Sequence, residues 1–185
     1  MKKPSEDGRE PVSSIAEKER LESAAFVTRS PEETIQLGRR ISKLLVPGDV
    51  IALIGELGTG KTCLTKGIAK GLGVPPDQFV RSASFVIVNR YDGKYPIWHI
   101  DAYRLGGPLD FVALGYEELI DSGCIAVIEW AERAGDLLPA RAICIDLEHI
   151  APTERRIHID FSGLTQDRIT GWRNTLSILG DLRAQ

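Results

Sequence analysis

The segment Gly55-Glu56-Leu57-Gly58-Thr59-Gly60-Lys61-Thr62 satisfies the pattern G-x-x-x-x-G-K-[ST] at every fixed position, and its flanks fit. Val50 to Ile54 before it is an apolar run that reads as a buried strand, and Cys63 to Leu72 after it reads as a helix. Such a strand–loop–helix unit binds phosphate by geometry. Gly58 and Gly60 let the main chain curl so that successive N–H groups converge, and the positive end of the helix adds to their field. Lys61 is placed to reach β- and γ-phosphates, and the Thr62 hydroxyl to join a magnesium ion that bridges them. A chain of this length meets the pattern by accident on the order of once in a hundred times. The segment therefore implies a site for a magnesium–nucleoside triphosphate. Its contact set is Glu56, Leu57, Gly58, Thr59, Gly60, Lys61, Thr62 and Cys63. The loop itself is expected at the surface.

Composition sets the frame. The 185 residues suit one core, and 43% hydrophobic with 26% charged residues is ordinary for a globular domain. A net charge of −3 offers no global attraction to DNA, RNA or an anionic membrane, so any contact with RNA has to be local or made through a partner. Cys63, Cys124 and Cys144 are odd in number and widely spaced, which argues for a reducing compartment and against a disulfide framework or zinc site. No apolar stretch approaches the length that spans a bilayer, and the first residues lack the apolar core of a secretion signal. These features predict a cytoplasmic protein.

Along the chain, residues 1–25 read as a flexible charged tail and 26–185 as a single domain. Structure is expected to start near Phe26. Ser30-Pro31-Glu32-Glu33 has the form of a capping box, followed by Leu37, Ile41, Leu44 and Leu45 on one helical face, with Pro47-Gly48-Asp49 ending that helix. Phe85 to Tyr91 and Ile97 to Tyr103 read as a hairpin joined through Asp92-Gly93-Lys94. Short helices follow at Leu109 to Leu114 and Tyr116 to Asp121. Cys124 to Ile128, Ile143 to Leu147 and Arg156 to Phe161 read as strands, and Thr170 to Leu182 as a terminal helix. The alternation predicts a three-layer α/β domain with a mainly parallel sheet, to which the hairpin adds an antiparallel portion.

A phosphate loop needs an acid at the end of a second buried strand, close to the metal. Glu129 follows Ile125 to Ile128, the better positional match; Asp101 ends the more amphipathic run from Pro96. One is expected beside the magnesium and the other to position or activate the attacking water, and spacing leaves the assignment open. Lys61, Asp101 and Glu129 are thus the candidate catalytic residues, and Thr62, Glu129 and Asp101 the candidate metal shell. His99, His149 and His158 lack metal-ligand spacing and are assigned structural or exposed roles, His99 on the face of its strand away from Asp101. Trp130, next to Glu129, reads as a core aromatic or as a rim residue near the nucleotide.

The chain resembles the TsaE family of P-loop NTPases. The resemblance is carried by the phosphate loop, Val80-Arg81-Ser82-Ala83-Ser84-Phe85, His99-Ile100-Asp101-Ala102-Tyr103-Arg104-Leu105, and Ile128-Glu129-Trp130-Ala131-Glu132-Arg133 with Leu137-Leu138-Pro139. It covers roughly Phe26 to Phe161. It implies a small cytoplasmic Mg-dependent ATPase that supports tRNA threonylcarbamoyladenosine modification with a TsaB–TsaD-like complex, meeting tRNA only through that complex. It also implies that Asp101 and Glu129 are the acidic pair, that Trp130 is functional, and that Ser84 makes a switch-like contact to phosphate or metal. The family pattern has S-P-T where this chain has Ser82-Ala83-Ser84, which removes a proline that fixes φ. A small-molecule or nucleotide kinase is the rival on the same loop. It requires an acceptor pocket and a lid bearing arginine; no lid insertion is evident, and Arg81, Arg90 and Arg104 are scattered.

Overall fold

A computed structural model describes residues 22–78 and 87–181. The helices and strands run β1 (Ser23–Thr28), α1 (Pro31–Ile41), β2 (Val50–Ile54), α2 (Lys61–Gly71), β3 (Val88–Tyr91), β4 (Ile97–Asp101), α3 (Pro108–Ala113), α4 (Tyr116–Asp121), β5 (Ile125–Glu129), β6 (Ile143–His149), β7 (Arg155–Asp160) and α5 (Gln166–Asp181). Single 3-10 segments at Ser42–Leu44, Ala102–Arg104 and Ala131–Leu137 complete the described elements. Residues 1–21 of the expected tail, the start of the strand expected from Phe85, and the Ser82–Ser84 loop lie outside the described residues.

The described strands form one seven-stranded sheet in the order β1-β7-β6-β2-β5-β4-β3. Its four central strands are parallel: β6 pairs with β2, β2 with β5 and β5 with β4. The hairpin adds antiparallel β3 at one edge. At the other edge β7 and β1 form a second antiparallel addition that the sequence reading did not anticipate. The first described strand starts at Ser23, three residues ahead of Phe26. Ser23, Ala24 and Ala25 carry no strong alternation of their own and are strand because β7 supplies their ladder partners, Asp160, Ile159 and His158.

The central strands are apolar on both faces because both are covered, as a parallel sheet requires. On one face Ile51, Leu53, Val127 and Ile145 pack with Leu37 and Ile41 of α1, Leu64 and Ile68 of α2, and Trp172 and Leu176 of α5. On the other, Val50, Ala52, Ala126 and Ile128 pack with Phe111, Tyr116 and Ile120. This is the three-layer arrangement. No helix of the described residues is long and apolar enough to cross a membrane.

Local chemistry sets the boundaries. Ser30 Oγ accepts the Glu33 N–H at 3.1 Å, while Glu33 reaches one residue past the cap to take the Arg29 N–H at 2.8 Å. The strand expected to run to Tyr103 stops at Asp101, whose carboxylate accepts the Tyr103 N–H at 3.2 Å and turns the chain into a 3-10 segment. Helix α5 starts a turn earlier than Thr170. In that extra turn Arg168 forms a two-pronged pair with buried Asp49, Nη2 to Oδ2 at 2.8 Å and Nη1 to Oδ1, and donates to the Leu44 carbonyl at 3.1 Å. The Val46 N–H also donates to Asp49, at 2.9 Å. The terminal helix is thereby anchored to the segment that feeds β2.

Candidate functional site

The phosphate loop leaves the carboxyl end of β2 and turns into α2. Gly55 has φ of 137°, and a Cβ there would lie 2.2 Å from the Leu147 carbonyl oxygen, so only glycine fits between β2 and β6. Gly60, at φ 106°, caps α2 in the left-handed region, and no side chain caps that helix N-terminus. The first amides of α2 thus keep the lack of intrahelical partners common to helix starts, and they face the loop's concavity. Thr59 is buried and its hydroxyl donates to the Glu56 carbonyl at 2.9 Å, which ties the loop across its own bend.

Only part of the loop is at the surface. Leu57 is 74% exposed, but Lys61 is 4% exposed, which corrects the expectation of an open loop. Lys61 Nζ donates to the carbonyls of Gly55 at 2.5 Å and Glu56 at 2.8 Å, and sits 3.8 Å from the centre of the Trp130 ring. Burial pushes the Lys61 ammonium below the ordinary lysine range; the negative charges of Glu129, Glu132 and Asp101 oppose that shift.

Glu129 and Asp101 end the parallel neighbours β5 and β4 and are register partners, so both carboxyl groups stand at one level of the sheet, each 2% exposed. Glu129 is the one that meets the loop. Its Oε2 accepts the Thr62 hydroxyl at 2.8 Å, and its Oε1 takes the Thr65 hydroxyl at 3.0 Å and faces His99 Nε2 at 2.9 Å. Thr65 shares its proton with the Lys61 carbonyl, also at 3.0 Å.

Trp130 follows with φ of 61°, the one non-glycine residue in the left-handed region among those described. That turn swings its ring over the loop, where it meets Tyr103 at 5.0 Å between centres, with Arg133 at 5.9 Å from both rings. Trp130 combines the two positions read from sequence: it is half-buried against the apolar cluster of the second sheet face, and it roofs the lysine. A cavity of about 200 Å³ is bounded by Leu57, Gly58, Gly60, Lys61, Thr62, Cys63, Glu129 and Trp130. A second, of about 390 Å³, lies on the other side of the loop against Gly55, Glu56, Thr59, Leu147, Glu148 and His149. The contact set read from sequence is thus drawn around one loop, Asp101 stands beside it in register with Glu129, and Ser84 lies outside the described residues.

Two residues of this arrangement were missed. His99 is fully buried against Glu129, and its assignment to the face away from Asp101 is corrected: residues two apart on a strand share a face. That spacing was the available signal. Thr65 lies one helical turn beyond Lys61, and a hydroxyl there is visible in sequence without indicating its acceptor.

The arrangement fits a magnesium–nucleotide. The Thr62 proton is committed to Glu129, which turns the oxygen's lone pairs to the loop cavity. Among the described residues no cluster of three or more His, Cys, Asp or Glu is placed to hold a metal. That is compatible with magnesium, which is bound by one or two carboxylates together with substrate phosphates.

The sequence pattern of the family described as threonylcarbamoyl adenosine biosynthesis protein TsaE matches residues 28–157. The tRNA threonylcarbamoyladenosine biosynthesis protein TsaE of Treponema pallidum is 36% identical over 133 residues, covering 72% of this chain and 97% of that protein. Its namesake in Bacillus subtilis is 36% identical over 131 residues, 70% of this chain and 80% of the relative. The crystal structure of Bacillus subtilis YdiB superposes with a TM-score of 0.70 at 31% identity, covering 82% of this chain and 94% of that one.

Proposed function

The chain belongs to the TsaE family of P-loop ATPases, and from that premise we propose that it is a magnesium-dependent ATPase acting in tRNA threonylcarbamoyladenosine biosynthesis. The observation that carries the reading is the Thr62–Glu129 hydrogen bond of 2.8 Å, with Asp101 the register partner of Glu129. It favours Glu129 as the acid that orients Thr62 toward a cation, which leaves Asp101 to hold the attacking water.

In this reading Lys61 exchanges the carbonyls of Gly55 and Glu56 for phosphate oxygens, and the α2 amides complete the cradle. Magnesium, when bound, neutralises charge that builds on the phosphates. Trp130 shields Lys61 from water and forms part of the wall beside the nucleotide. Ser84 remains a proposed contact to phosphate or metal. Hydrolysis is slow in isolation and gains its purpose through a TsaB–TsaD-like complex, which alone meets tRNA. The three half-buried free cysteines suit a reducing cytoplasm. The TsaE relatives favour this reading over a kinase built on the same loop.

Phosphate release from ATP by the purified full chain, with magnesium and with excess chelator, tests the first part. Activity that is unchanged by chelator sinks the metal assignment. Co-purification with a TsaB–TsaD pair in the presence and absence of ATP tests the second, and no association in either condition refutes the partner reading.

A further inference from the structure

We propose that His99 is a positioning residue for ATP hydrolysis: its Nε2–H fixes the carboxylate of Glu129 so that the other oxygen holds Thr62. This rests on the function proposed above and adds a residue to it. His99 is fully buried in the middle of β4, among isoleucine and valine side chains of the sheet. Its register partner is Val127, and its ring reaches forward to Glu129 Oε1 at 2.9 Å. A carboxylate only accepts hydrogen bonds, so Nε2 carries a proton. Nδ1 has no partner among the described residues.

A polar ring with one nitrogen unsatisfied among the described residues is a costly way to fill an apolar site, where leucine or methionine would pack without that cost. The ring also stacks on Tyr91 at 6.1 Å, which an apolar side chain would reproduce. What histidine adds is the Nε2–H directed at Glu129.

That bond has a consequence at the loop. The terminal torsion of glutamate is broad, so the carboxylate needs partners to hold one orientation. His99 and Thr65 both engage Oε1, and this turns Oε2 to the Thr62 hydroxyl at 2.8 Å. With the His99 bond gone, Glu129 is free to rotate toward Lys61, and Thr62 loses the acceptor that orients its lone pairs. Partners one step removed from a metal ligand typically alter activity about 10- to 100-fold. Glu129 and Thr62 themselves remain, and the loop amides and Lys61 are unchanged, so the loss falls mainly on kcat rather than on binding.

The test compares the full native chain with His99→Leu and His99→Gln, whose amide nitrogen takes the place of Nε2. The readouts are ATP turnover at saturating magnesium–ATP, the Kd of a fluorescent ADP analogue, and ligand-free crystal structures. His99→Leu is expected to lower kcat about 10- to 100-fold with Kd within about threefold of native, and His99→Gln to recover most of it. In the crystals Glu129 leaves Thr62 in His99→Leu and keeps it in His99→Gln. Equal kcat for all three proteins, or equal loss in both variants, overturns the inference. If His99→Leu fails to fold, His99→Phe keeps a ring against Tyr91 without the Nε2–H and should lower kcat in the same way; unchanged turnover there overturns it too. A native chain that neither binds nor hydrolyses ATP defeats the proposed function instead, and the crystallographic comparison still decides the role of His99.

Discussion

Replacing Lys61 by methionine keeps the length of the side chain and removes its charge. In the ligand-free protein Nζ bonds to two loop carbonyls, at 2.5 and 2.8 Å, under the Trp130 ring. Binding phosphate exchanges those neutral acceptors for charged oxygens, a net gain of roughly one charge-assisted bond, about 1.5–3 kcal/mol. The ground-state loss in Lys61→Met is therefore about 10- to 100-fold in nucleotide affinity. Charge that develops on the transferred phosphoryl group adds a further loss confined to the transition state, about 10²–10³ in kcat. Phosphate release at saturating ATP measures the second term, and titration with a fluorescent ADP analogue measures the first. A kcat within about threefold of native would refute the placement of Lys61 at the reacting phosphate. The same variant has a pH signature. Burial lowers the folded-state pKa below the ordinary 10.5, so the charged lysine costs stability at neutral pH. As pH rises through the lowered value toward 10.5 the unfolded chain holds more protons than the folded one, and the cost is relieved. Native protein should gain stability relative to Lys61→Met across that alkaline window, read from denaturant melts. A difference that does not change with pH would contradict the burial argument.

Glu129→Ala is expected to remove measurable hydrolysis and weaken magnesium-dependent nucleotide binding, and wild-type behaviour in both assays would transfer the role to Asp101. Arg168→Leu leaves Asp49 buried with only the Val46 amide as partner, so a loss of about 3–5 kcal/mol is expected in urea melts; a loss under about 1 kcal/mol would show the pair to be dispensable. The buried Tyr116 hydroxyl has no partner among the described residues, and burial pushes its pKa from 10.0 to about 12, against the lowering influence of Arg141. Its contribution is intact below pH 10 and lost as pH rises from there to about 12, so Tyr116→Phe should resist alkaline unfolding better than native protein while matching or exceeding it by about 1 kcal/mol at pH 7. A variant weaker at both pH values would show that the hydroxyl is satisfied.

Residues whose role follows from a local pattern were readable. The β2 run, the loop glycines, the capping serine and the acid that closes β5 all announce themselves within a few positions. Roles that depend on register did not. Spacing could not divide the work between Asp101 and Glu129, because the two end neighbouring strands at the same level, and only the fold shows that Glu129 meets Thr62. The sequence assigns His99 only a structural or exposed role, since its partner lies thirty positions away. The Arg168–Asp49 pair joins opposite ends of the chain, and Ser23 to Ala25 become strand only through β7. The left-handed turn that lays Trp130 over Lys61 has no sequence signature, because a bulky residue adopts it only where its surroundings impose it.

The order of strands across the sheet has a consequence for synthesis. The loop-bearing β2 emerges early, yet its lateral neighbours β5 and β6 arrive much later, and β1 waits for β7 almost at the end. A growing polypeptide on the ribosome therefore carries its glycine loop long before it owns the acid or the flanking ladders that shape it. Closing such long loops costs little more entropy than closing moderate ones, but it postpones cooperativity until the final third is made. On the proposed function, ATP favours the folded form only from that moment on, by mass action on a domain whose ladders are all in place.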